Sequence, residues 1–147
     1  MDDEVIYRKN RNDLIRYASV LVGPTSAEDV VSTIVLRVLA RQHLADLREP
    51  RPYLFRAVLN ECRTRLDRER NHSTLDNVDG TQSVEQQPEV LAAVLALPVR
   101  QKAATYLVYW EGLSVQETAR LMGIRPGTVK RYLYLARRVL KGALDAD

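Results

Sequence analysis

The stretch EGLSVQETARLMGIRPGTVKRYLYLARRVLKGAL, residues 111–144, decides the fold. Ser114 and Glu117 form an S-x-x-E capping box, which sets a helix start at Ser114. That helix runs to about Leu121. Met122-Gly123-Ile124 is then a tight turn, with glycine where positive φ is easily adopted. Pro126 suits the first turn of a second, longer helix. Projected at about 100° per residue, this second helix puts Val129, Tyr132, Leu133, Ala136, Val139 and Leu140 on one side. Lys130, Arg131, Tyr134, Arg137, Arg138 and Lys141 fall on the other. A short capped helix, a glycine turn and a longer helix make a helix-turn-helix. The cations and the tyrosine on its free face suit a helix laid against phosphates. A charge run alone is more often a solvated face; the helix-turn-helix before it favours DNA. Arg125, Thr128, Lys130, Arg131 and Tyr134 are expected in the major groove. Arg137, Arg138 and Lys141 are expected on the backbone.

Working outward, residues 90–97 read as a short apolar helix, and Pro98 begins another that runs to about Trp110. Before them lies NHSTLDNVDGTQSVEQQ, residues 71–87, with three acids (Asp76, Asp79, Glu85) and no Lys or Arg. It is too poor in apolar side chains to offset the cost of ordering it. It reads as a linker, the alternative being a long surface loop. Residues 5–22 carry Ile6, Leu14, Tyr17, Ala18, Leu21 and Val22 mainly at helical spacing, and Gly23-Pro24 stops that helix. Ser26 offers an N-cap to a next helix bearing Val30, Val31, Ile34, Val35, Val38 and Leu39. Pro50 and Pro52 break the chain again. A third helix follows, with Leu54, Phe55, Val58, Leu59, Cys62 and Leu66 on one face and Arg56, Arg63, Arg65, Arg68 and Arg70 on another. The expectation is an all-α protein of two small helical domains. A three-helix bundle occupies residues 1–70 and a helix-turn-helix domain residues 88–147, joined by a short flexible linker.

Composition excludes several classes. The chain has 147 residues, 22 Lys+Arg against 19 Asp+Glu, and a net charge of +3. One cysteine, Cys62, cannot make an internal disulfide. With two histidines, His43 and His72, it is too little for a structural zinc site, so no metal and no cofactor are expected. No apolar run approaches the roughly 20 residues of a membrane span, and no signal peptide is visible. A cytoplasmic protein with no membrane insertion is expected. No nucleophile elbow, H-E-x-x-H or glycine-rich phosphate loop occurs, so an enzyme is not expected. By segment, residues 1–70 hold 13 basic and 11 acidic side chains, and residues 88–147 hold 9 and 5. The positive charge sits in the two domains, on two helix faces.

The motifs resemble a known family. Leu97-Pro98 with Arg100, Glu111-Gly112-Leu113-Ser114, Glu117-Thr118-Ala119, Gly127-Thr128-Val129-Lys130 and Ala136-Arg137 look like region 4 of extracytoplasmic-function (ECF) sigma factors. Ala27-Glu28-Asp29-Val30-Val31 looks like the start of the region 2 helix that binds the polymerase clamp. Pro52-Tyr53-Leu54-Phe55-Arg56 and Asn60, followed by Arg63 and Arg65, resemble the helix that opens the −10 element. The resemblance implies a non-enzymatic factor that binds RNA polymerase core, through clamp and flap, and promoter DNA. Tyr53, Arg56, Asn60, Arg63 and Arg65 are then expected on the −10 strand. The recognition helix is expected at the −35 element. Glu28, Asp29, Ser32 and Arg37 are expected on polymerase. Ser32-Thr33 stand where the family usually has Gln-Glu, which implies either weaker core affinity or different clamp contacts. An anti-sigma factor is an expected partner, and a monomer the expected free state. Tyr53 and Phe55 are candidates for stacking on bases, with core packing the alternative for Phe55; Glu28 and Asp29 have helix-dipole stabilisation as theirs, and Cys62 reads as a buried core thiol rather than a redox sensor. Two other functions fit the same pattern. One is a dimeric helix-turn-helix regulator with palindromic footprints. The other is a sigma-like mimic that binds an anti-sigma factor without initiating transcription.

Overall fold

The computed structural model describes residues 2–72 and 89–145, and all regular structure in them is helical. Helix α1 spans Asp3–Val22, with the Asp2 carboxylate accepting the Val5 N–H at 2.9 Å as its cap. Gly23, at φ 95°, donates its N–H to the Ser19 carbonyl at 2.8 Å and turns the chain directly into α2, Pro24–Leu39. Pro24 takes the first helical position, so the cap residue is Gly23 and Ser26 lies inside the helix. The expected Ser26 cap is thereby corrected. A 3-10 turn, Leu44–Asp46, leads to α3, Pro50–His72. Pro50 and Pro52 sit in the first turn of α3 rather than ahead of it, where a missing N–H breaks no helical hydrogen bond. Helix α3 continues past the expected edge at residue 70 to His72; the rest of the expected linker lies outside the described residues.

The second lobe holds α4 (Glu89–Leu95), α5 (Val99–Thr105), α6 (Val115–Met122) and α7 (Pro126–Asp145). Helix α5 runs on through a π turn, Tyr106–Trp110, closed by the Glu111 N–H on the Tyr106 carbonyl at 3.1 Å. The Ser114 cap forms as its spacing predicts, with the Ser114 hydroxyl accepting the Glu117 N–H at 3.1 Å. Gly123 ends α6 in the left-handed region at φ 70°.

The apolar faces meet in one core. Leu14, Tyr17, Val30, Leu54, Phe55, Val58 and Cys62 are buried in the first lobe. They are continuous with Ala103, Ala104, Leu107, Leu121, Met122, Val129 and Leu133 of the second. Each fully buried Leu or Phe contributes about 1.5–3 kcal/mol. Phe55 is thus a core residue, and Cys62 a buried thiol that desolvation pushes up to about 12. A smaller cluster joins Val94, Leu97 and Ala136, with Leu140 packed against it. Two positions leave their expected apolar faces: Val139 is 51% exposed and Leu39 41% exposed.

The Tyr17 side chain is fully buried, and its hydroxyl has no hydrogen-bond partner among the described residues. An unpaired buried hydroxyl costs roughly 1–3 kcal/mol. Tyr17→Phe is therefore expected to hold or raise the melting temperature, by several degrees at most. Circular dichroism melts check this, and a clear fall would mean that the hydroxyl is paired.

Candidate nucleic-acid interface

Helix α7 presents its polar face to solvent. Lys130, Arg131, Tyr134, Arg137, Arg138 and Lys141 are all exposed, while Val129, Leu133 and Ala136 anchor the opposite face. Arg125 is exposed just ahead of the helix and Thr128 half-buried in its first turn. Two of the cations are braced by aromatic rings. Arg137 donates from Nε to the Tyr109 hydroxyl at 2.9 Å, and the Arg138 guanidinium lies 5.9 Å from the Tyr134 ring centre. The π turn puts Tyr109 on this side, and both Tyr109 and Trp110 are 53% exposed. Such bracing limits the rotamer freedom that would be lost on meeting a phosphate. Tyr132, expected towards the core, is half-buried and accepts from Arg100 at 3.4 Å.

Helix α3 divides its expected residues. Tyr53, Arg56, Asn60 and Arg63 share one side, and Tyr53 and Asn60 line a cavity of about 200 Å³ against α2. Arg65 lies nine residues after Arg56, half a turn away around the helix. It points to α2, where it donates to Glu61 at 2.8 Å, Asp29 at 2.7 Å and Thr33 at 3.2 Å. Arg37 reaches the same Glu61 at 3.3 Å. Burial pushes the Glu61 carboxyl up, but the guanidiniums of Arg65 and Arg37 outweigh it and hold the carboxyl below its ordinary range. The structure thus brings Arg65, Asp29 and Arg37 together around Glu61, a residue the sequence reading missed. It separates Arg65 from the other residues expected on the −10 strand.

On α2, Glu28, Asp29, Ser32 and Arg37 are exposed. Ser32 lines a groove of about 430 Å³ with Tyr7, Val35, Leu36 and Leu39. Leu36 is 68% exposed, and it stands one helical turn after Ser32. Among the described residues no cluster of metal-ligating side chains occurs, and no helix is long and apolar enough to cross a membrane.

Residues 6–72 match the family model Sigma-70 region 2, and residues 88–140 match Sigma-70, region 4. The chain is 41% identical over 91 residues to the "ECF RNA polymerase sigma factor SigM" of Mycobacterium tuberculosis, an alignment covering 58% of this chain and 46% of that protein. The match thus spans about half that relative's length. The "RNA polymerase sigma-E factor" of Streptomyces antibioticus is 30% identical over 154 residues, covering 99% of this chain and 86% of that one. Among solved structures, the sigma factor RpoE of Bartonella quintana, in complex with the anti-sigma factor NepR, has a TM-score of 0.70 at 23% identity. That likeness covers 96% of this chain and 95% of the other, and it shows a shared fold.

Proposed function

This chain belongs to the ECF family of RNA polymerase sigma factors, and we propose that it binds polymerase core and directs initiation at promoters with −10 and −35 elements. The exposed, aromatic-braced cation face of α7, behind a capped helix-turn-helix, carries this reading. Arg125, Thr128, Lys130, Arg131 and Tyr134 read the −35 major groove, and Arg137, Arg138 and Lys141 hold its phosphates. Tyr53, Arg56, Asn60 and Arg63 take the −10 strand, where cations and a stacking ring suit single-stranded DNA. Arg65 acts from behind, fixing α3 on α2 through Glu61. Glu28, Asp29, Ser32 and Arg37 meet the polymerase clamp. The exposed Leu36 and Leu39 beside Ser32 add an apolar patch that a partner would cover, and the flap meets the second lobe. An anti-sigma partner is supported by the likeness to RpoE, whose structure holds one. The protein works as a monomer when free, in the compartment of the polymerase.

Run-off transcription tests this. Purified protein is mixed with bacterial core polymerase and a promoter selected from randomised DNA. Stoichiometric core binding and new transcript starts are expected. The absence of both sinks the proposal.

A further inference from the structure

The cations of α7 are not held alike. Lys130, Arg131 and Lys141 stand exposed along the helix. Arg138 lies over Tyr134, one turn back on α7 itself, so its brace travels with it. Among the described residues, Arg137 is the α7 cation held from another element. Its Nε donates to the Tyr109 hydroxyl at 2.9 Å, and its Nη2 reaches the same oxygen. The guanidinium carbon lies 5.8 Å from the Tyr109 ring centre. Tyr109 is 28 residues earlier in the chain, ahead of the helix-turn-helix and outside every residue so far assigned to DNA.

The hydroxyl is delivered by the π turn. Each residue of an i→i+5 turn advances less around the axis than in an α-helix, so its side chains leave the regular helical faces. The turn is fastened from several sides. Leu107 is fully buried and Tyr106 is 8% exposed. The Tyr106 hydroxyl donates to Glu111 at 2.6 Å, spanning the turn, and the Leu113 N–H meets the Leu107 carbonyl at 3.0 Å just beyond it. Upstream, α5 is pinned by Lys102, whose ammonium donates to the Leu21 and Leu95 carbonyls, each at 3.2 Å. Tyr106 also stacks on Tyr17 at 6.2 Å, across the seam between the lobes. Tyr109 is therefore carried on a rigid base while its own side chain is 53% exposed.

A phenol suits this task. Its oxygen accepts N–H groups yet carries no charge, so it orders the guanidinium without cancelling the charge that a phosphate needs. A carboxylate in its place would hold Arg137 and neutralise it. The Nη1 donors of the fork are left for a phosphate oxygen.

We propose that Tyr109 is a positioning residue for DNA: carried on the π turn, it sets the Arg137 guanidinium in advance for a phosphate of the −35 duplex. This rests on the reading of α7 as the −35 helix. An unbraced arginine gives up rotamer freedom when it meets a phosphate. The brace thus acts through order, with no DNA contact of its own.

The test uses the full chain and a fluorescein-labelled duplex bearing the −35 element of the promoter selected from randomised DNA. Anisotropy is read over a salt series. Tyr109→Phe keeps the ring and removes the oxygen, and a circular dichroism melt checks that the fold is kept. It is expected to weaken binding roughly three- to tenfold, the effect of ordering one long side chain. Its salt slope is expected to stay unchanged, because Arg137 still reaches the phosphate. Arg137→Ala is expected to lower that slope by about 0.9. The double variant is expected to bind like Arg137→Ala alone, since the brace then has nothing to hold. A full further loss in the double variant overturns the positioning role and puts the hydroxyl itself on DNA. Unchanged or tighter binding by Tyr109→Phe, beside a normal Arg137→Ala effect, also overturns it and leaves the α7 reading standing. No effect of Arg137→Ala on affinity or slope removes the Arg137 phosphate contact and the role of Tyr109 together.

Discussion

Phe55→Ala is expected to cost about 3–5 kcal/mol of folding stability. The ring is 1% exposed, and no alternative packing is open to it. It meets Tyr17 at 5.0 Å between ring centres, and the Arg51 guanidinium lies 4.8 Å over its face. Aromatic pairs of this kind contribute about 0.5–1.5 kcal/mol beyond area burial. Loss of the ring leaves a cavity between α1 and α3 that neighbouring rigid helices cannot collapse to fill. Domains of this size have roughly 5–15 kcal/mol in all, so a large share of the protein would be unfolded at moderate urea. Urea titration followed by circular dichroism measures the shift, with Phe55→Leu as a milder control. A cost below about 1 kcal/mol would place Phe55 in a mobile surface position, contrary to the packing described.

The second large effect is expected on DNA. Removing Arg137, Arg138 and Lys141 together, each to Ala, deletes three phosphate contacts from the proposed α7 interface. Each such contact contributes about 0.9 to the slope of log affinity against log salt. The triple variant is therefore expected to lose about 2.7 of that slope and roughly a hundredfold in affinity at about 0.15 M salt. Stability should hold, because all three side chains are exposed. Fluorescence anisotropy on a duplex, over a salt series, gives both quantities. Arg131→Ala is the contrast. Placed on a base edge, it should relax sequence preference by about 1–3 kcal/mol and leave the slope nearly unchanged. A uniform loss across sequences would put Arg131 on phosphate.

The helix-turn-helix was legible because its signals are local. Ser114 and Glu117 cap a helix by themselves, and Gly123 carries the left-handed turn by itself. At the start of α2 two local signals compete. Ser26 is a good cap, but Gly23 had already turned the chain and Pro24 fits only the first helical position. Arg65 stands on the opposite side of α3 from Arg56, since nine residues make two and a half turns, and there it meets Glu61 and Asp29. Lys102 gave no signal at all. Its role depends on the Leu21 carbonyl, 81 residues earlier in the chain, and no pattern of residue types encodes that meeting. Leu36 and Val139 illustrate the same limit: helical spacing gives faces, but the packing of other elements decides which face is covered.

The continuity of the core from α1 through α7 has a thermal consequence. Parting the lobes exposes the apolar surface around Tyr17, Tyr106 and Leu107, and hydration of such surface raises heat capacity. Apolar attraction also weakens on cooling, while the ion pairs Glu49–Arg120 and Arg16–Glu111 between the lobes do not rest on it. The balance across the seam is thus temperature-weighted. The apolar packing of α1 on α5 is thus weaker in the cold than when warm.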